Sequence, residues 1–296
     1  MPGPVVMSDA LWDSAGSEVE RWLDRQRNSD GGWGYGPGRP SRLEPTCWGI
    51  LATGSHDARV LARWPRRDGL PVEGPSGAVN IAFAGLAACT WLTASPAAGG
   101  DVDGVLHALG SAHGVRLPQS EEVQQDNSLQ GWPWVSGTFT WVEPTAWCLL
   151  ALKRWRRLGG DASWLAERIA AGEAVLADRA IPSGGWNYGN PRVYGKVLSA
   201  FVPTTALALL ALRDRPQMPV VVRGLAWLAG HRLTESSRSA MGLAAMCLDR
   251  FGADVRSLRG RLVKSLDGAL RRGDTIAAAQ LRAGLAGAQA RDPFAI

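Results

Sequence analysis

Two kinds of segment alternate along this chain. SEVERWLDRQR and SWLAERIAAGEAVLADR carry apolar residues at helical spacing with charge on the opposite face, the pattern of a surface helix. CWGILATG, AWCLLALKRW and TALALLALRD are apolar almost throughout, and each follows a proline and threonine that mark a helix start, because proline fits the first helical turn. The glycine- and aromatic-rich stretches between them supply turns and little strand alternation. Pairing the segments predicts helices over 9–27 with 44–54, 57–64 with 76–94, 101–113 with 143–158, 161–179 with 203–213, 217–231 with 235–250, and 253–271 with 273–290.

The pairs repeat in sequence as well as in pattern. Residues 26–48 align without gaps on 125–147: Gln26 on Gln125, Gly32 on Gly131, Trp33 on Trp132, Glu44 on Glu143, Pro45 on Pro144, Thr46 on Thr145 and Trp48 on Trp147. A third copy begins at Ser183, with Trp186 in place of Trp132 and Val202-Pro203-Thr204 resembling Glu-Pro-Thr. A weaker echo spans Gly77 to Leu92 without a recognisable Glu-Pro-Thr. The offsets imply a unit of about 50 residues, hence about six units. Six outer amphipathic helices around six apolar, small-residue-rich inner helices predict an all-α fold, a closed (α/α)6 toroid. No linker of disordered composition interrupts it, so 1–296 is expected to be one domain.

Composition sharpens this picture in one respect. Of 296 residues, 14 are Trp against 3 Tyr and 5 Phe, which points to a repeated structural device or an aromatic-walled cavity. The cysteines, Cys47, Cys89, Cys148 and Cys247, are scattered, and the first twenty residues already carry four acids. Free thiols and no secretory leader are therefore expected, hence a cytoplasmic protein. No apolar run is long enough to span a membrane.

Leu23-Asp24-Arg25-Gln26 followed by Asp30-Gly31-Gly32-Trp33-Gly34 resembles the QW repeat of squalene–hopene cyclases, and Thr145 to Leu152 is similar to the inner-helix starts of that family. The resemblance covers roughly residues 15–250. It implies a lone prenyltransferase/squalene-cyclase repeat domain acting on a small isoprenoid, for example a prenyl diphosphate, with no cofactor. The family's Asp-x-Asp-Asp-Thr-Ala acid motif is missing; Asp101 and Asp103 lack its context and fall in an outer helix. Laying the motif's Thr-Ala on Thr145-Ala146 puts its proton-donating Asp on Glu143, and the repeat puts Glu44 in the same role.

The expected catalytic residues are therefore Glu143 and Glu44, as acids of an atypical class II-like terpene cyclase. Each glutamate precedes Pro-Thr, so a capping and dipole role is the competing explanation. Trp132, Trp134, Trp141, Trp147, Trp48, Tyr35 and Tyr188 are the expected aromatic wall, and Asp126 an expected polar contact. Trp33, Trp132 and Trp186, at the QW-like position, also fit a purely structural role. An aromatic wall beside an acid equally suits a lipid-binding or partner-binding module, or another α/α-toroid enzyme such as a glycan-active one.

The charge is +5, and a basic amphipathic stretch over 250–272 carries Arg250, Arg256, Arg259, Arg261, Lys264, Arg271 and Arg272. It fits a solvated outer face, or a phosphate or peripheral membrane contact. No nucleic-acid motif accompanies it. His56, His107, His113 and His231 are dispersed, and Cys247 with Asp249 lacks a partner histidine, so no metal site is expected. Elemental analysis of the purified protein should therefore find no zinc; one equivalent per chain would restore a prenyltransferase-like site.

Overall fold

Each amphipathic segment forms an outer helix and each apolar run an inner one. The computed structural model describes residues 9–55, 57–74, 77–95, 101–286 and 294–296; His56 lies outside them. The outer helices are α1 (Asp9–Gln26), α3 (Arg59–Ala62), α5 (Asp101–Ser111), α7 (Leu165–Asp178), α9 (Pro219–His231) and α11 (Arg256–Arg272). The inner ones are α2 (Leu43–Thr53), α4 (Ile81–Ala94), α6 (Val142–Arg157), α8 (Val202–Ala211), α10 (Arg238–Arg250) and α12 (Thr275–Leu285). Each inner helix packs on the next, from α2 through α4, α6, α8 and α10 to α12, and α12 packs back on α2, so the contacts close a ring.

Small residues let the ring close tightly. A β-carbon at Gly85 of α4 would stand 2.9 Å from the Cys148 amide of α6. One at Gly242 of α10 would stand 2.2 Å from the Gln280 carbonyl of α12. Backbones in such proximity exclude any larger residue. The core is the shell between the two layers together with the ring's interior, and all four cysteines are buried in it as free thiols.

The expected helix over 57–64 is the one that differs most. Only Arg59–Ala62 is helical. Pro65 ends it, and β1 (Arg66–Arg67), β2 (Leu70–Glu73) and β3 (Ala78–Val79) follow as an antiparallel meander. Asp68 and Gly69 both have positive φ, the hairpin geometry an Asp-Gly pair favours. Tyr194-Gly195 turns the second hairpin, β4 (Arg192–Val193) with β5 (Lys196–Val197), in the same way.

The repeated tryptophan is a clamp. The indole N–H of Trp33 donates to the Leu23 carbonyl at 2.8 Å, that of Trp132 to Leu109 at 2.8 Å, and that of Trp186 to Leu176 at 2.7 Å. Each caps the carbonyl end of an outer helix, where backbone acceptors lack intrahelical partners. Each tryptophan's own amide donates to a threonine hydroxyl in the first turn of an inner helix: Thr46 at 3.0 Å, Thr145 at 3.1 Å and Thr205 at 2.9 Å. The third contact corrects the alignment: Thr205, not Thr204, is the counterpart of Thr145. The third copy is therefore shifted by one residue, and Pro203 occupies the place that Glu44 and Glu143 hold.

Close approach by glycine completes the clamp. A β-carbon at Gly49 would stand 2.5 Å from the Trp33 ring, and one at Gly224 would stand 2.6 Å from Trp186. Elsewhere the outer layer is tied by charge. Lys153, 1% exposed, donates from α6 to Glu173 at 2.7 Å, Asp214 at 2.5 Å and the Ala211 carbonyl at 2.8 Å.

Gly49→Ala should thus destabilise the protein by about 1–3 kcal/mol through overpacking. Gly230→Ala in α9, with nothing within 4 Å of the added carbon, should be neutral or stabilising by up to about 1 kcal/mol. Urea unfolding of the two variants checks the pair; equal stability would refute the clamp.

Candidate active site

The N-terminal ends of the inner helices form one end of the ring, and the clamps fix where those ends lie. Glu44 is in the first turn of α2 and Glu143 in the first turn of α6. The residues that cap these helices, Arg42 and Trp141, make no side-chain cap bond. The carboxylates themselves have side-chain partners. Tyr35 donates its hydroxyl to Glu44 Oε2 at 2.8 Å, and the Trp147 indole N–H donates to Glu143.

Both carboxyls titrate above the ordinary range. Glu143 is pushed up to about 7, first by burial and then by the negative charge of Glu44. Glu44 is raised by burial, and further by Glu73 and Asp274, against the Tyr35 hydrogen bond. The order of ionisation follows: Glu44 loses its proton first, and its charge then holds the proton on Glu143. Tyr35 is itself raised, by burial and by Glu44. A helix N-terminus stabilises carboxylate, so burial and the neighbouring charge overcome an opposing field at Glu143.

Glu73 and Asp274 extend the acidic cluster from other elements. Glu73, on β2, accepts from the Leu43 amide at 2.6 Å and from Arg42 at 3.2 Å, so it caps the start of α2 from outside the helix. Asp274 caps α12 through the Ala277 amide at 3.0 Å, and the Thr275 amide donates to the Tyr35 carbonyl at 3.2 Å. Sequence reasoning missed both. Asp274 before Thr275 has the ordinary signature of a helix cap, whereas nothing local ties Glu73 to α2.

The aromatic residues separate into three sets. Trp48 and Trp147, one helical turn beyond Glu44 and Glu143, are buried edge to face at 5.8 Å in the ring's interior. Tyr35, Tyr188, Phe139, Trp141 and Phe201 lie at the rim, partly or largely exposed. There Phe139 meets Trp141 at 4.8 Å, Tyr188 meets Phe201 at 5.1 Å, and the Tyr188 carbonyl accepts from the Val142 amide at 2.9 Å. Phe201 holds the position before α8 that Trp141 holds before α6, a correspondence that the one-residue shift hides. Trp132 belongs to the third set: it is fully buried in its clamp, with the Arg168 guanidinium 3.6 Å over its ring. It therefore has no surface for a substrate, contrary to the expectation.

Two other expected contacts have partners within the fold. Trp134 packs against Phe83 at 6.4 Å, and its carbonyl accepts from the Ile81 amide, so it closes the start of α4. Asp126 is exposed in a turn, where its carboxylate accepts from the Ser128 amide and hydroxyl, and its amide donates to Asp178 at the end of α7. Most of the basic stretch has intramolecular partners: Arg256 with Asp254, Arg271 with Asp267, Arg250 and Arg259 with Asp249, and Arg261 with carbonyls of residues 232, 233 and 235. Among the described residues no group of three or more His, Cys, Asp or Glu is placed to hold a metal ion, and no helix is long and apolar enough to cross a membrane.

No protein-family profile and no curated protein matches the sequence. Solved structures do match in shape. A protein from Actinoplanes superposes with a TM-score of 0.57 at 16% identity, covering 93% of this chain and 98% of its own. A glycosidase variant superposes with a TM-score of 0.58, and a glycosidase variant in complex with glucose with 0.59; both are 10% identical and cover 94% of this chain and 96% of their own. Such similarity establishes a shared fold over nearly the whole chain.

The raised pKa of Glu143 has a consequence for stability. The carboxyl is ordinarily at 4.5 and here at about 7. Its burial is therefore tolerated fully below about pH 4.5, and stability is lost as pH rises through 7. Glu143→Gln, which mimics the protonated acid, should be more stable than the parent by about 1–3 kcal/mol at pH 8.5, with the difference closing by pH 4. Equal unfolding midpoints at both pH values would refute the buried acid.

Proposed function

We propose that this protein is a glycan-active α/α-toroid enzyme in which Glu143 is the general acid and Glu44 its carboxylate partner. The observation that carries the reading is the pair itself. Two glutamates in equivalent positions on α2 and α6 sit at one end of the ring, both raised by burial, and Glu143 is raised further by the charge of Glu44. Glycoside cleavage needs one carboxyl protonated near neutral pH, to donate to the leaving oxygen, and a second one ionised, to act on the sugar or on a water. Glu143 is poised for the first role and Glu44, the earlier to ionise, for the second. Tyr35 holds the Glu44 carboxylate in place. The rim of exposed Phe139, Tyr188 and Phe201 with partly exposed Trp141 offers flat apolar faces of the kind on which sugar rings stack. The glycosidases that share the fold add weight to the same reading.

The isoprenoid-cyclase expectation draws less support from the same residues. Proton transfer to an alkene requires a dry aromatic chamber around the acid. Here the tryptophans divide between interhelical clamps, an open rim and a filled slot beneath the acids.

The test is a panel of oligosaccharides and aryl glycosides, assayed for released reducing ends. Glu143→Gln and Glu44→Gln should each lower kcat by about 10²- to 10⁴-fold while leaving the circular dichroism unchanged. Activity of the parent should fall as pH rises through about 7, where Glu143 loses its proton. Product formation by Glu143→Gln at the parent's rate would end the proposal. Turnover of a prenyl diphosphate, with none of any glycan, would return the protein to the cyclase reading; ligand binding without turnover would make it a binding module.

A further inference from the structure

The mouth of the ring continues past the acids, over the starts of α8, α10 and α12. Between α8 and α10 lies a pocket of about 220 Å³, lined by Phe201, Trp227, His231, Thr234, Glu235 and Ser236 among others. Its aromatic side is held in place. Trp227 stands over the third clamp loop, where a β-carbon at Gly185 would be 3.1 Å from the indole. His231 stacks on that indole at 4.1 Å and donates from Nδ1 to the Trp227 carbonyl at 2.8 Å, which leaves Nε2 as an acceptor. The other side is polar. Glu235 Oε1 accepts from the Ser236 and Ser237 amides at 2.8 and 2.7 Å, so the carboxylate is fixed and keeps Oε2 for a further donor. Ser236 also stands on the wall of a second pocket, of about 260 Å³, between α10 and α12, which reaches Arg238, Arg272 and Asp274.

Both ends of this arc join the acids. At one end Phe201 meets Tyr188 at 5.1 Å, and the Tyr188 carbonyl accepts from the amide of Val142, the residue before Glu143. At the other end Thr275, the residue after Asp274, donates its amide to the carbonyl of Tyr35, whose hydroxyl donates to Glu44. We propose that the two pockets are adjoining sugar subsites, and that the substrate is an oligosaccharide several rings long, laid along the mouth from Tyr188 and Phe201 past Ser236 toward Asp274. The proposal rests on the glycan reading for its occupant and adds the length of the substrate and where its distal rings sit. Each pocket is smaller than the roughly 300–1,000 Å³ of a drug-sized site, so each takes a ring, and Ser236 on both walls lets one chain fill the two. Aromatic faces opposite hydroxyl, carboxylate and imidazole groups suit a ring that is apolar on its face and hydroxylated at its edge. A purely apolar guest would strip water from those polar groups and leave them unpaired.

The probes are cellohexaose, maltohexaose and chitohexaose, each beside its disaccharide, titrated calorimetrically into full-length Glu143→Gln. One of the three hexasaccharides should bind about tenfold or more tighter than its disaccharide. Ser236→Trp, which places a bulky ring where the pockets join, and Phe201→Ala, which removes an aromatic wall, should each abolish that preference in the same background, while Phe201→Tyr keeps it. Both positions are exposed, so circular dichroism and melting temperature should stay unchanged. Equal affinity for each hexasaccharide and its disaccharide, binding of none of the three, or a length preference that survives Ser236→Trp or Phe201→Ala would overturn the proposal. The titration uses a protein without the proposed acid, so the two readings fail separately. Length-dependent binding with no cleavage by the parent would keep the arc and remove the chemistry; cleavage without a length preference would do the reverse.

Discussion

The repeated tryptophan clamp is the interaction on which the rest of the structure depends. A fully buried indole must find an acceptor for its N–H, and Trp33, Trp132 and Trp186 each find it at the carbonyl end of an outer helix. The backbone amide of the same residue must also be satisfied, and a threonine on the following inner helix accepts it. One residue therefore fixes the end of one helix against the start of the next. An inner helix that starts at a fixed point also presents its first-turn side chain at a fixed point. The positions of Glu44 and Glu143 follow from that geometry.

Much of this architecture was legible in the sequence, because the clamp is written locally. Glycine, tryptophan, proline and threonine recur at a constant spacing, and helices buried on one face or all round carry distinct apolar patterns. The alternation of outer and inner helices was legible throughout, with helix ends off by a few residues; the expected 76–94, for example, begins at Ile81. The second unit failed because a proline and an Asp-Gly turn, both visible, outweighed a short amphipathic stretch. The third unit was misaligned by one residue because two threonines follow Pro203, and only the hydrogen bond to Trp186 distinguishes Thr205 from Thr204.

The site was less legible than the fold. Glu44 and Glu143 could be found because they repeat, yet their electrostatic coupling is a tertiary fact: the two residues are 99 positions apart and come near each other because α2 and α6 pack on either side of α4. The tryptophans were expected as one wall. Identity alone does not distinguish a clamp from a rim or a slot, since all three use the same broad apolar face. Phe294, buried against Trp48 and Trp147, gave no signal, because a short apolar stretch beyond the last helix carries neither periodicity nor a repeat partner.

A scaffold built by repetition tends to make equivalent positions chemically alike, and acid–base chemistry requires them to differ. Here the difference comes from the partners. Glu44 receives a phenol hydrogen bond from Tyr35 and lies beside two further acids; Glu143 receives an indole N–H from its own helix and lies under the charge of Glu44. A hydrogen bond to the ionised form favours ionisation, while burial and a neighbouring negative charge oppose it. At Glu143 burial and the Glu44 charge prevail and bring the carboxyl to about 7, and at Glu44 burial raises the carboxyl against the Tyr35 hydrogen bond. The shifted third copy removes a competing carboxyl altogether, since Pro203 stands where another glutamate would have added its charge. Two ordinary glutamates thus become one proton donor and one carboxylate through differences in the loops, while the ring that carries them keeps its repeat.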